Sequence, residues 1–518
     1  MPPKYRPIFD HPLVRYRIQR SPYRSLLTTN HRSIPANSVR PVAGLRVLVV
    51  GLGRFGGGVG VTRWLAEQGA HVTVTDQADA ASLAESLEAI AGLPVSLQIG
   101  GHDGCDLSTT DLTVINPAVH KSTSGLFAEI LHRKIPWTTE MNLFCDRCPA
   151  PVVGVTGSYG KSTTCAMLAE VLESNRQSGS ASYTGVHLGG NIGRSLLNDL
   201  PIIRSTDIVV LEMSNAQLED LPRVSWAPAI AVITNLQPQH LDRHGSFEAY
   251  ISAKLNLVRP GGPADPVIVG DLHPGADRML AAILADSPRR LVRVESPTPP
   301  IELTLPGRHN QANAACVWTV CRAMGIDDAA IRAALREFRG LPHRLEYVQT
   351  VDGVRYINDS KSTAPAATMI AIEALADPEP RASARAESPP PDPRVSVRAT
   401  PSFDGIASKS LILIVGGQRK DVPLTECARL MTRTCRVVIC YGQAGPTFAS
   451  AVRQTAGASP DSATIVHEVD GVPAAVHRAR LEARSGDAVL FSPGAPSFDQ
   501  YVNFTERGRH FVELVNAM

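Results

Sequence analysis

The segment Val152–Glu173, VVGVTGSYGKSTTCAMLAEVLE, carries an apolar strand straight into a Gly-rich turn and on into a helix. Few local structures satisfy that order, and the one it predicts is a phosphate cradle. Backbone N–H groups from Gly157 through Ser158 and Gly160 to Lys161 are expected to point into the turn, where the helix N-terminus adds its positive end. Lys161 is then placed to reach the terminal phosphates of a nucleotide, with Ser162 or Thr163 holding Mg²⁺. The strict GxxxxGK[ST] spacing is not met, because Val155 stands at the first glycine position and the motif reads TGSxGKSTT. A Gly-rich strand-to-helix turn of purely structural purpose is the alternative at this level.

At 518 residues the chain is long enough for roughly three domains with separate cores. Its net charge is +2 and no uninterrupted apolar run reaches membrane-spanning length, so the reading is a soluble protein that neither binds nucleic acid nor inserts into a membrane. The nine cysteines are odd in number and scattered from Cys105 to Cys440, the pattern of reduced thiols in the cytoplasm. Cys145 and Cys148 form one CxxC, but no second ligand pair follows at zinc-site spacing.

Residues 1–44 hold eight Lys or Arg against the single acidic Asp10 and lack a signal-peptide apolar region, so they read as a solvated, disordered basic arm. Residues 377–408, rich in Pro, Ser and charge, cannot bury a core and read as a surface insertion.

Between these segments the pattern is α/β. LRVLVVGLGRFGGGVG carries a strand into Gly51, Gly53 and Gly56, and a second strand, HVTVTD, ends at Asp76. A GxGxxG turn with an acidic residue about twenty positions on seats a pyrophosphate and a ribose. From these residues alone NAD is the default ligand, any nucleotide diphosphate fits the same turn, and close strand–helix packing is the structural alternative. The strand DLTVINPAV follows, with a turn at Asn116 and Pro117, and then KIPWTTE. Beyond Pro151, TDIVVLEMS and PAIAVITNL are apolar runs with polar C-terminal ends, as in a parallel sheet. Parallel strands deliver functional residues at their carboxyl ends, which makes Glu212 and the stretch Asn235 to His240 candidate metal groups beside the phosphate turn. From about Leu341 strands and helices alternate again through SLILIVGG, CRVVICYG and DAVLFSPG.

TGSYGKSTT, GGNIG, LEMSNAQLE, QHLDRHGSFEAYISAK, LPGRHNQANAA, GLPHRLE, NDSKSTAPAAT and SPGAPSFDQYVNFTERG occur in that order. Together, from about Leu45 to the C-terminus, they resemble the Mur ligase family. The resemblance implies three domains: a Rossmann-like N-terminal domain at 45–150 for a UDP-linked substrate, a central P-loop ATPase-type parallel-sheet domain at 151–340, and a Rossmann-like C-terminal domain at 341–518 for an amino acid. It implies ATP and Mg²⁺ at two sites, and transfer through an acyl phosphate. UDP-N-acetylmuramoyl-L-alanine and D-glutamate are the implied substrates of a cytoplasmic monomer.

Carried over residue by residue, the resemblance makes Lys161 the phosphate lysine, Ser162 and Glu212 ligands of one Mg²⁺, and His240 a ligand of the second. Lys254 matches the lysine the family carbamylates, a solvated helix lysine being the alternative. Asn310 and Asn313 match groups near the adenine, or else cap and turn residues. Arg344 and Asp359 match groups at the terminal phosphate and at the ribose or a metal-bound water, or else an interdomain salt bridge. Asn191 and His240 match positions that touch the muramoyl substrate or its metal. Lys361, Thr363, Lys420, Ser497 and Phe504 match the glutamate site. Gly53, Arg54, Phe55 and Gly56, with Asp76 and Asn116, match the uridine diphosphate site, which replaces the NAD reading.

Tyr159 stands where the family turn has Asn, SPGAPS replaces SPACAS, and the basic arm has no counterpart. The readings that remain open are a Mur ligase adding another amino acid, such as L-glutamate, an enzyme extending folate, a non-catalytic nucleotide-binding paralogue and an NAD-dependent dehydrogenase. The sequence leaves the chirality of the glutamate undecided.

Overall fold

The computed structural model describes residues 41–53, 56–238, 244–258, 266–285, 287–376, 409–457 and 464–518. The basic arm before Pro41, the segment 377–408, and Arg54, Phe55 and His240 lie outside the described residues.

Three sheets follow one another along the chain. The first holds β1 (Arg46–Val50), β2 (His71–Asp76), β3 (Val95–Ile99), β4 (Leu112–Ile115) and β5 (Trp137–Thr138), ordered β3-β2-β1-β4-β5 with every pair parallel. The second holds β6 (Val152–Thr156), β7 (Val186–Gly190), β8 (Ile208–Glu212), β9 (Ile230–Leu236), β10 (Pro266–Leu272) and β11 (Arg290–Arg293), ordered β11-β10-β9-β6-β8-β7 and again parallel. Every residue of β6 and β8 is buried, as befits parallel strands covered by helices on both faces.

The third sheet holds β12 (Glu346–Val351), β13 (Val354–Asn358), β14 (Leu411–Gly416), β15 (Cys435–Tyr441), β16 (Ile465–Val469) and β17 (Ala488–Gly494), ordered β12-β13-β17-β14-β15-β16. It departs from the strand–helix alternation read in the sequence, because β12 pairs antiparallel with β13. The cause is local: Asp352 and Gly353 have φ of 50° and 77°, the left-handed pair that closes a two-residue hairpin.

In the first sheet the chain winds outward in both directions from β1, and in the second β8 and β7 lie on one side of β6 while β9, β10 and β11 lie on the other; a crevice opens at the carboxyl ends where the direction switches. In the second sheet this places the ends of β6, β8 and β9 side by side. One apolar cluster runs without a break from Val47, Trp64 and Phe144 to Val209, Ile233 and Tyr250, so the first two sheets share a core. The third has separate clusters on its two faces, around Leu413 and around Phe491. Buried Asp220 strengthens the first junction by accepting from Lys121 Nζ at 2.6 and 2.5 Å.

Candidate active site

The phosphate turn is moulded by the strand beside it. Gly157 has φ 155°, and a Cβ there would lie 2.0 Å from Thr234 Oγ1. Gly160 has φ 79°, and its Cβ would lie 2.1 Å from Asn313 Oδ1. Only glycine combines such a φ with so close an approach. The end of β9 grips the turn: Tyr159 N–H donates to Asn235 Oδ1 at 2.9 Å, while Asn235 Nδ2 and Thr234 Oγ1 donate to Tyr159 O at 3.0 and 2.7 Å. The Asn235 side chain, a candidate metal group in the sequence, therefore serves to hold the turn. Helix Lys161–Gln177 begins without a side-chain cap, leaving its first-turn N–H groups to a ligand.

Four cations, Lys254 buried and the other three half-buried, converge beyond this turn. Lys161 Nζ folds back onto the carbonyls of Gly157 and Ser158 at 3.0 and 3.2 Å, and burial lowers its pKa. Lys254, on helix Phe247–Leu255, is 1% exposed, which excludes the solvated-lysine alternative. Its ammonium donates to Thr156 Oγ1 at 3.2 Å and lies 5.1 Å from the Tyr250 ring centroid. Burial, reinforced by the neighbouring Lys161, drives its pKa well below the ordinary lysine value. Arg344 reaches across from the third unit to donate to Ser162 Oγ at 2.9 Å. Lys361 sits 3.7 Å from the Phe504 ring centroid, and burial, with Arg344 and Lys161 nearby, lowers its pKa to about 8.

Glu212 is close enough to act on all four cations. It is 1% exposed; Oε1 accepts from Asn191 Nδ2 at 2.8 Å, and Oε2 is buried without a hydrogen-bond partner among the described residues. Asp359 is the second acid. Burial pushes its pKa up to about 7, against the pull of Ser492 Oγ at 2.8 Å and Leu345 N–H at 3.3 Å. Among the described residues Arg344 and Asp359 do not form the salt bridge that the sequence allowed: Arg344 donates to Ser162, and Asp359 accepts from Ser492 and Leu345.

This donor set fits Mg²⁺: an orphaned carboxylate oxygen at the end of β8 and a Ser162 hydroxyl where the neighbouring β6 has led into its helix are both hard donors, and Mg²⁺ asks for few protein ligands. Among the described residues no cluster of three His, Cys, Asp or Glu is built to enclose a metal by itself. A triphosphate fits the surplus of positive charge, four cations against two acids.

Asn310 and Asn313 are buried on helix Arg308–Ala323, where Asn310 Nδ2 donates to Pro306 O at 2.7 Å and Asn313 Oδ1 abuts Gly160. Thr163 and Ser158 are buried in the turn, Ser158 Oγ lying 2.9 Å from the Tyr250 hydroxyl. In the first sheet Asp76 Oδ2 accepts from Gly53 N–H at 3.0 Å, Asn116 Nδ2 donates to Gly51 O at 3.1 Å, and Gly56 has φ 83°. Ser497 is 2% exposed, whereas Thr363 and Lys420 are exposed. Tyr250 and Thr234 were not singled out in the sequence. Tyr250 precedes Lys254 by one helical turn, a spacing that puts both on one face.

The Mur ligase middle domain family matches residues 155–321, and the family described as Mur ligase MurD-like, N-terminal domain, matches residues 45–135. The UDP-N-acetylmuramoylalanine--D-glutamate ligase of Roseiflexus sp. (strain RS-1) is 34% identical over 509 residues, covering 92% of this chain and 99% of its own. The like-named ligase of Symbiobacterium thermophilum is 33% identical, with 91% and 98% covered. Among solved structures, the UDP-N-acetylmuramate-alanine ligase MurC of Thermotoga maritima matches with a TM-score of 0.56 at 19% identity, covering 91% of this chain and 99% of that one. The MurF ligase of Thermotoga maritima in complex with ADP matches with a TM-score of 0.53 at 16% identity, covering 92% and 96%. The chain belongs to the Mur ligase family, to which its sequence assigns it over nearly its whole length.

Proposed function

We propose that this chain is an ATP-dependent amide ligase that joins D-glutamate to UDP-N-acetylmuramoyl-L-alanine in the cytoplasm, acting as a monomer with 45–150, 151–340 and 341–518 as its three domains. The observation that carries the reading is the convergence of Lys161, Lys254, Arg344 and Lys361 on Glu212, in a chain that aligns end to end with ligases of that name.

The alanyl carboxylate attacks the terminal phosphorus of ATP, the bond to the bridging oxygen breaks, and ADP leaves from an acyl phosphate. The glutamate amine then adds to the acyl carbon, loses a proton, and expels phosphate as the amide forms. Lys161, Arg344 and the first-turn N–H groups hold the phosphate oxygens and neutralise their charge, so positioning and electrostatics supply most of the acceleration. Ser162 and Glu212 would hold Mg²⁺, which would supply positive charge to offset the negative charge of the phosphates. Lys254, as its carbamate, and His240 would hold a second ion, which would supply Lewis-acid charge for the reacting carboxylate. Lysine as ammonium cannot ligate a cation; a carbamate brings two oxygens and a negative charge. Asn310 and Asn313 are assigned to the adenine, and Asp359 to the ribose or a metal-bound water. Gly53, Arg54, Phe55, Gly56, Asp76 and Asn116 are assigned to the uridine diphosphate, and Asn191 to the muramoyl moiety. Lys361, Thr363, Lys420, Ser497 and Phe504 are assigned to the incoming glutamate.

The test is phosphate release by the purified protein with Mg²⁺, ATP and UDP-N-acetylmuramoyl-L-alanine, across D-glutamate, L-glutamate, L-lysine and diaminopimelate. Release that depends on D-glutamate, with the matching mass gain in product, is expected. Dependence on another amino acid would move the substrate and keep the mechanism; no release with any of them would leave a nucleotide-binding paralogue.

A further inference from the structure

Arg507 is the third unit's most deeply buried cation, 0% exposed on the first turns of helix Phe504–Asn516, and the proposed chemistry does not use it. No carboxylate lies at ion-pair distance from it among the described residues. Its guanidinium is instead divided between two loops that leave neighbouring strands. Nε and Nη2 donate to Ser360 Oγ and Ser360 O at 3.1 and 2.8 Å, in the loop after β13 that carries Asp359 and Lys361. Nη1 donates to Ala495 O at 2.9 Å, at the start of the loop after β17 that carries Ser497.

A third loop closes on the same group. A Cβ on Gly417, just after β14, would lie 3.0 Å from Nη1 and 2.3 Å from Pro496 O, and Gln418 N–H donates to Pro496 O at 2.8 Å. The helix that carries Arg507 is tied to the first loop on its own account: Ser360 Oγ donates to Phe504 O at 2.7 Å, Asn358 Nδ2 donates to Gly508 O at 3.2 Å, and the Phe504 ring lies under Lys361.

We propose that Arg507 is a positioning residue: its planar fork fixes the spacing between the Asp359–Thr363 loop and the Ala495–Ser497 loop, and so sets the geometry in which the amino-acid substrate is held. Burying an unpaired guanidinium costs several kcal/mol, which a staple made of apolar side chains would avoid. What the fork adds is several directed donors in one plane, aimed at oxygens of two separate chain segments, which lysine cannot reproduce. The inference rests on the ligase reading for its substrate and on the hydrogen bonds alone for its geometry.

The experiment compares wild type, R507K and the milder S360A, which removes one acceptor of the fork. With R507K the KM for D-glutamate is expected to rise about tenfold to hundredfold, the cost of misplacing binding groups by around an ångström. The ATP dissociation constant should change by clearly less than the glutamate KM, since the phosphate turn lies in another unit and only Asp359 of the repositioned loop is assigned to the nucleotide. S360A should shift the same KM in the same direction by less. An unchanged glutamate KM in a folded R507K protein, with only its melting temperature lowered, would reduce Arg507 to a core staple and overturn the proposal. Hydrogen–deuterium exchange decides the geometry without activity: faster exchange confined to residues 358–363 and 494–500 in R507K is expected, and unchanged exchange there overturns the proposal. Wild-type protein that releases no phosphate with any amino acid would overturn the ligase reading and leave the exchange result to decide this one.

Discussion

Arg344 Nη2 donates to Ser162 Oγ at 2.9 Å, so a guanidinium from the third unit rests on the hydroxyl that the phosphate turn offers to a cation. The contact joins two units whose apolar cores are separate, and in the proposed reaction it would put Arg344 beside the terminal phosphate. Bound nucleotide and Mg²⁺ would take over Ser162 and turn the same guanidinium toward phosphate oxygens. R344A is therefore expected to lower kcat/KM for ATP by about 10² to 10³, the range for losing one preorganised donor at a developing anion. R344K should recover little of it, because an ammonium lacks the fork. Steady-state phosphate release at saturating acceptor measures both.

Lys254 is buried, faces Lys161 and has its pKa pulled well below the ordinary value, chiefly by burial. The sign matters: a depressed lysine pKa means that more of the free amine is present near neutrality than for a solvated lysine, and only the free amine adds carbon dioxide. ¹³C-labelled bicarbonate is expected to give one carbamate resonance in wild type and none in K254R. The same variant should lose about 10²-fold or more in phosphate release while still binding ATP. A wild-type spectrum without that resonance would remove the carbamate.

Much of this was legible in the chain because the informative residues are local. TGSYGKSTT specifies its strand, turn and helix within about twenty positions, and HVTVTD ends at Asp76 in the structure as in the sequence. What stayed hidden depends on residues brought together from afar. Asn235 lies 76 positions from Tyr159, so its grip on the turn has no local signature and its amide passes for a metal group. Lys254 shows the same limit: helical spacing could not tell a solvated lysine from one sealed against Tyr250 and Thr156. The Asp352–Gly353 hairpin was a missed local signal, since a DG pair between apolar runs already favours an antiparallel turn.

Gly160 tests whether the turn's shape is required. Its φ of 79° costs a side chain about 1–2 kcal/mol, and the added methyl would meet Asn313 Oδ1 at 2.1 Å. G160A is expected to weaken ATP binding by at least about tenfold while the melting temperature falls only modestly, because the clash is confined to the turn and one amide. Fluorescent-nucleotide titration beside a thermal melt separates the two effects. Because Asn313 is itself assigned to the adenine, G160A/N313A is compared with N313A alone: a smaller further loss than G160A causes in wild type is expected if contact with Asn313 is the main obstacle, and the same loss if φ alone is.

Asp359 gives a pH dependence whose direction is fixed. Burial raises its pKa from 3.8 to about 7, so between those values the folded state holds a proton that the unfolded state has released. Stability from this group is complete below about pH 4 and is lost as the pH rises through about 7. D359N keeps a neutral side chain of the same shape at every pH, and Oδ1 can still accept from Leu345 N–H. The variant is therefore expected to match or exceed the wild-type melting temperature at pH 8, to lose that advantage near pH 4, and to show a flatter profile between. The difference at pH 8 should be at most about 4 kcal/mol, roughly three pKa units at about 1.4 kcal/mol each, the pull of Arg344 and Arg507 being already contained in the value of about 7. Equal profiles for the two proteins without ligand would show that Asp359 is already ionised at neutral pH.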